Sequence, residues 1–281
     1  MNQKSEKIMQ AVFFLTACIS ILSVLLICIF LFASGIPAMG KIGLGPFLSG
    51  TIWRPSSNDF GILPMIVGSL YVTAGALLLG VPLGILTAVF MVYFCPERLY
   101  RPFKAAINVM AGIPSVVYGF FGLVALVPFI RANIGGYGMG VLAASLLLGM
   151  MILPTIVSVS ETAIRAVPQP YYEGGLALGA SHERSIFFVV LPAAKRGILA
   201  SVILGLGRAV GETMAVVMVA GNQAIIPTSL TSGVRTMTTN IVMEMGYATG
   251  LHREALIATA VVLFMVILVI NVLFSLLNKE E

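Results

Sequence analysis

Glu173-Gly174-Gly175-Leu176-Ala177-Leu178-Gly179, closed ten residues later by Val189-Val190-Leu191-Pro192, is a polar stretch set between two hydrophobic blocks. Read on its own, it is a short amphipathic helix between two membrane spans. A dedicated role would rest on Glu173, Gly174, Gly175, Gly179, Leu191 and Pro192, and what flanks them decides between the two readings.

The flanks are membrane-like. Of 281 residues, 59% are hydrophobic and 10% charged, with a mean hydropathy of +1.04. A soluble domain carries about 25% charged and about 45–50% apolar residues, so that class is excluded. Several apolar runs approach the roughly 20 residues a helix needs to cross a bilayer core. The expected fold is therefore an all-α polytopic membrane protein. Six transmembrane helices are expected at about 11–33, 64–92, 105–128, 140–164, 197–220 and 254–276. With the N-terminus inside, the inner segments hold ten of the sixteen Lys and Arg residues, from Lys4 and Lys7 to Lys195, Arg196 and Lys279, against five outside. This positive-inside bias places both termini and the 165–196 loop in the cytoplasm. It also accounts for the net charge of +5 without nucleic-acid binding.

The first apolar run exceeds the 7–15 residues of a signal-peptide core, so it reads as a retained helix. Cys18, Cys28 and Cys95 show no paired or metal-ligand spacing and read as small apolar residues. Pro82, Pro114, Pro128 and Pro154 fall in or near spans as tolerated kinks. The pairs Gly80/Gly84 and Gly207/Gly211 read as close helix contacts. Trp53, in an ordered outer loop over 34–61, reads as a headgroup anchor. The outer segment 221–253 is too polar to cross lipid, and either receives a binding protein or is a surface loop.

Charge within the membrane is the second specific signal, in Arg208-Ala209-Val210-Gly211-Glu212-Thr213. On a helix starting near Gly197, Arg208 lies roughly 16 Å along, close to the bilayer midplane. Glu212 follows at i+4 and would pair with it on one face. A charge there costs about 2.5–3.5 kcal/mol on insertion scales and survives facing protein or a water-filled path. The alternatives are a structural ion pair or an anion pathway through Arg208, Glu212 and Thr213. A guanidinium matches two phosphate oxygens at once and stays charged, which favours the pathway. Glu161 and Arg165 form another i,i+4 pair, expected to snorkel to the interface.

Other signals fail. Gly35-Ile36-Pro37-Ala38-Met39-Gly40-Lys41-Ile42 resembles a phosphate-binding P-loop, but Ile42 stands where Ser or Thr must contact magnesium. Gly205 to Gly211 misses the dinucleotide spacing by one residue. His182 and His252 fall on opposite sides of the membrane and cannot share a metal. The residues offer no catalytic constellation.

With these residues in hand, the chain resembles the permeases of phosphate-specific ABC importers over roughly 36–276. The docking-loop pattern of that family reads E-A-A, three residues, G, nine residues, I-x-L-P. Glu173, Gly179, Leu191 and Pro192 sit at matching positions, with Gly174 and Gly175 for the alanines and Val189 for the isoleucine. The run Ala111 to Gly122 is similar to the family's third-helix signature. The run from Arg208 through Gly221-Asn222 is similar to the PstC-type permease rather than the PstA type. The Gly-Gly departure would loosen the local helix, since glycine costs about 1 kcal/mol relative to alanine.

The resemblance implies a type I importer permease (MetI-like) fold with cytoplasmic termini in the bacterial inner membrane. It divides the chain into an N-terminal helix and external loop, 1–63, and a permease core, 64–281, carrying the coupling loop of 165–196. It implies no enzymatic activity in this chain. A PstA-like second permease would complete a heterodimer, and a PstS-like protein would deliver phosphate from outside. Two PstB-like ATPase subunits would bind ATP and Mg²⁺ and grip the coupling loop. Two other classes stay open: a permease for molybdate or sulfate, and a proton-coupled carrier using Glu212. A scaffolding or sensory membrane protein is weaker still, since midplane charges argue against it.

Overall fold

A computed structural model describes residues 3–277. Lys279 and the last residues of the expected core lie outside these, as does the side chain of Lys4. The fold is helical, with five described helices long and apolar enough to cross a membrane. A sixth span results if His182–Ala193 and Lys195–Gly211, bent by 70°, count as one.

The first helix, α1 (Gln3–Ile42), outruns expectation. It continues through Pro37 instead of giving way to a loop at residue 34. Tertiary packing drives the extension: Ala38 and Met39 are buried with Ala255, Ala258 and Val261. A Cβ on Gly35 would sit 2.6 Å from Val261 Cγ2, so this glycine permits the close approach. Gly43, at φ +93°, then ends the run. The segment resembling a P-loop is thus helical and presents no phosphate cradle.

A short helix α2 (Leu44–Ser49) and a two-stranded hairpin, β1 (Trp53–Arg54) and β2 (Asp59–Phe60), follow. Trp53 pairs with Phe60, and Asn58 takes the left-handed turn position. The expected second span appears as α3 (Leu63–Val89), widened to a π-helical turn over Phe90–Phe94.

The third span is shifted. Residues 97–112 form a separate amphipathic helix, α4 (Glu97–Gly112), bearing Glu97, Arg98, Arg101 and Lys104. Pro114 then disfavours helical backbone at Ile113, which is extended at φ −69°, ψ 126°. The apolar span runs over Ser115–Asn133 rather than 105–128. Within it lie α5 (Ser115–Phe121), a π-helical turn, and α6 (Val127–Asn133).

The central helix is α7 (Val141–Arg165), with Ala144, Leu147, Ile152 and Ile156 fully buried. It packs on α3 through glycine: Cβ atoms on Gly80 and Gly84 would lie 2.7 Å from Ile152 Cδ1 and 2.6 Å from Ile156 Cγ2. The Gly80/Gly84 pair therefore serves helix contact. Gly207 and Gly211 do not bring described elements together, since beyond their own helix nothing described lies within 4 Å of a Cβ at either.

Residues 169–193 fold as α8 (Gln169–Ala177), α9 (His182–Ser185), a π-helical turn over Ile186–Val190, and α10 (Leu191–Ala193). The expected single span at 197–220 is broken into α11 (Lys195–Gly211) and α12 (Met214–Val219). After a loop come α13 (Met237–Met245) and the last apolar helix, α14 (Gly250–Leu277).

Candidate functional site

Two places carry the residues singled out in the sequence. The first is the segment from Gln169 to Pro192. Pro168 leads into α8, whose exposed Glu173 accepts a hydrogen bond from Gln169 Nε2 at 2.7 Å. Gly174 and Gly175 do not interrupt the helix, which runs unbroken through both. Their roles differ. Gly174 faces open space, whereas a Cβ on Gly175 would sit 2.8 Å from Ser185 Oγ. Gly175 thus lets α8 lie against the start of the returning arm. Gly179, at φ +85°, reverses the chain, and Ser181 Oγ caps α9 by accepting from Arg184 N at 3.3 Å. At the tip, Leu178 is 91% exposed. Leu191 packs on the cluster around Ile186 and Val190, while Pro192 is exposed.

The second place is the break between α11 and α12. Arg208 lies in the last turn of α11, where a cation complements the helix's negative end. The expected i,i+4 ion pair with Glu212 does not form, because the helix stops at Gly211 and Glu212 is extended. Arg208 Nη1 instead donates to Thr155 Oγ1 on α7 at 3.3 Å. Glu212 Oε1 accepts from Ala215 N at 3.2 Å, capping α12, and its carbonyl accepts from Thr238 Oγ1 at 3.1 Å. Thr213 Oγ1 donates to Gly211 O at 3.2 Å. A break inside an apolar bundle needs such partners, because freed backbone groups have no water there. Thr155 and Thr238 were not legible as site residues, since hydroxyls in apolar helices are common and only the fold aims these two.

Two buried carboxylates were also misread or missed. Glu161 does not snorkel: its side chain is 4% exposed. It accepts from Tyr100 OH at 2.6 Å, Lys104 Nζ at 2.7 Å and Arg165 Nε at 3.1 Å, which ties α4 to α7. Near the other end, Glu244 accepts from Arg235 Nη1 at 2.7 Å and Trp53 Nε1 at 2.9 Å, and bonds His252 Nε2 at 2.8 Å. Trp53 is therefore committed to an internal polar cluster, not to the headgroups. Part of 221–253 is likewise interior, with Thr239 and Asn240 fully buried, while residues 228–230 are exposed.

An apolar helical bundle with an exposed two-helix segment on one side and a charged, interrupted helix within defines a membrane component of a transport system. Residues 80–280 match the family model described as binding-protein-dependent transport system inner membrane component. The chain belongs to this family. It is 41% identical over 241 residues to the probable ABC transporter permease protein YqgH of Bacillus subtilis, covering 83% of this chain and 78% of that one. It is 35% identical to the phosphate transport system permease protein PstC of Mesorhizobium japonicum over 261 residues, covering 85% and 80% of the two chains. It is also 34% identical to the PstC of Haemophilus influenzae, covering 83% and 80%. Among solved structures, a bacterial ABC transporter that imports alginate matches with a TM-score of 0.66 at 16% identity, covering 95% of this chain and 96% of that one. The MetNI methionine transporter matches at 0.58 and 21% identity, covering 78% and 93%. These likenesses give the fold: the ABC importer permease architecture expected from the sequence.

Proposed function

We propose that this chain is the PstC-type permease subunit of an ATP-driven importer of inorganic phosphate. The observation that carries this reading is the half-buried guanidinium of Arg208 at the α11–α12 break, held by the neutral hydroxyl of Thr155. A fixed cation beside a helix interruption suits a passing oxyanion, and the break leaves room for backbone and carboxylate to balance it. Likeness to permeases named for phosphate transport supports phosphate over molybdate or sulfate. In this reading Arg208, Glu212 and Thr213 line the route, with Glu212 ordering the break and not neutralising Arg208 directly.

The segment from Glu173 to Pro192 receives the ATPase. A leucine 91% exposed at a polar loop's tip supports this, since burial of an apolar side chain against a partner is favourable. The segment belongs to the 165–196 loop of a core over 64–281, and residues 1–63 add the first helix and the outer hairpin. The segment and both termini lie in the cytoplasm. A PstA-like permease, PstB-like ATPases that hold ATP and Mg²⁺, and an external PstS-like protein complete the system. No cofactor resides in this chain, and the chain itself catalyses no reaction.

The test is ATP-dependent uptake of labelled phosphate into proteoliposomes holding the complex, wild type beside Arg208→Ala. Uptake lost in the variant with assembly intact supports the route. Normal uptake by the variant removes Arg208 from it, and a wild-type complex that moves sulfate but not phosphate overturns the substrate.

A further inference from the structure

We infer that Tyr172 and His182 form an aromatic clamp that fastens both arms of the ATPase-coupling segment to the end of α3. Through the clamp α3 joins α7 and α11, to which the segment is already tied by the chain, as an element that moves with the segment. This rests on the coupling reading of residues 169–192 given above.

The clamp is built from both sides of the loop. Tyr172 lies on α8, next to Glu173, and His182 opens α9 beyond the Gly179 turn. Their side chains are joined by a hydrogen bond of 2.6 Å between Tyr172 OH and His182 Nδ1. The rings meet edge to face, with centroids 5.7 Å apart at 90°. The end of α3 then closes on this pair. Phe94 lies edge-on to His182 at 5.0 Å, and Tyr93 lies 5.5 Å from Tyr172 and 6.3 Å from His182. Four rings from three elements are thus linked, Phe94 through His182, in arrangements that aromatic pairs favour.

The path inward is continuous. Tyr93 and Phe94 belong to the π-helical turn that extends α3. Above it, Gly80 and Gly84 admit Ile152 and Ile156 of α7 so closely that the two helices cannot slide freely. Between those two isoleucines in sequence stands Thr155, the partner of Arg208. A displacement of α8 therefore has a packed route to the guanidinium: clamp, α3, α7, Thr155. Coupling of this kind needs contiguous contacts between rigid elements, and each link here is one.

Tyr172 and His182 are positioning residues in this account and touch neither phosphate nor nucleotide. The experiment uses the assembled complex in proteoliposomes and reads three quantities on each preparation: ATP hydrolysis, phosphate uptake, and cross-linking of a cysteine at Leu178 to the ATPase. Tyr172→Ala and Phe94→Ala should leave cross-linking and ATP hydrolysis near wild type while phosphate moved per ATP falls about tenfold. Tyr172→Phe, which keeps the ring but loses the hydroxyl, should fall between. If Tyr172→Ala does not assemble, Tyr172→Phe and His182→Gln carry the comparison. Wild-type transport per ATP in assembled variants would overturn the clamp with the docking reading intact. No cross-link from Leu178→Cys in an active complex would sink the docking reading, and the clamp with it.

Discussion

Arg208 on α11 reaches across to Thr155 on α7, Nη1 to Oγ1 at 3.3 Å, and this contact takes the place of the ion pair with Glu212 that the spacing suggests. In the proposed route, a guanidinium held by a neutral hydroxyl leaves its charge uncompensated for a visiting anion, whereas a carboxylate partner would offset it. The weakness of the contact also suits a route in which binding must be transient.

Removing the hydroxyl should therefore tune the site and not abolish it. Thr155→Val is expected to lower phosphate uptake about tenfold, the scale of one lost hydrogen bond to a charged group, about 1.5 kcal/mol. Arg208→Ala should abolish uptake with assembly retained. Labelled-phosphate uptake measured alongside co-purification of the partner subunits checks both, and an inactive Thr155→Val beside an active Arg208→Ala would reverse the roles.

Gly174 and Gly175 should part company on substitution. Gly174→Ala meets nothing within 4 Å and should stabilise α8 slightly, by about 0.5–1 kcal/mol. Gly175→Ala drives a methyl against Ser185 Oγ and should cost about 1–3 kcal/mol, as overpacking does. Thermal unfolding of the purified complex distinguishes them, and equal effects would contradict the packing of α8 on α9.

The Glu161 carboxylate is a structural tie between α4 and α7. Glu161→Ala leaves Lys104 without its partner in a partly buried site, with Arg165 and Tyr100 released. A loss of about 1–3 kcal/mol is expected, since the bonds to the carboxylate go but the cations left behind, 30% and 46% exposed, reach solvent. A melting temperature unchanged from wild type would show that α4 is held by other contacts.

Glu173→Lys reverses the charge on the outer face of α8, where Glu173 is exposed and accepts from Gln169 Nε2. Reconstituted complexes should then hydrolyse ATP without importing phosphate, or fail to retain the ATPase. Normal stoichiometry of transport to hydrolysis would remove this glutamate from the docking surface.

At the outer end, Trp53→Phe deletes one of three donors to Glu244 while keeping the ring against Phe60. The expected loss is about 1–3 kcal/mol, since the carboxylate stays buried with less satisfaction. Thermal unfolding with Glu244→Gln as the companion variant tests whether the hairpin is fastened through this carboxylate.

By itself, the sequence determined the membrane-spanning helical class, and it marked the Glu173–Pro192 segment and Arg208 as the places on which the proposed coupling and route rest. Each rests on properties that survive without partners: apolar runs long enough for a bilayer, a fixed spacing, and the high cost of burying charge. It did not reveal that α1 runs on to Ile42, that Ile113-Pro114 parts an amphipathic helix from the third span, or that α11 stops at Gly211. Those outcomes depend on which side chain meets a freed backbone group: Thr238 at the Glu212 carbonyl, Ala38 and Met39 against α14. Only the tertiary structure decided that Glu161 and Glu244 are interior hubs. Their partners lie as far away in the chain as Tyr100 and Trp53, and no local spacing encodes a contact made across the bundle.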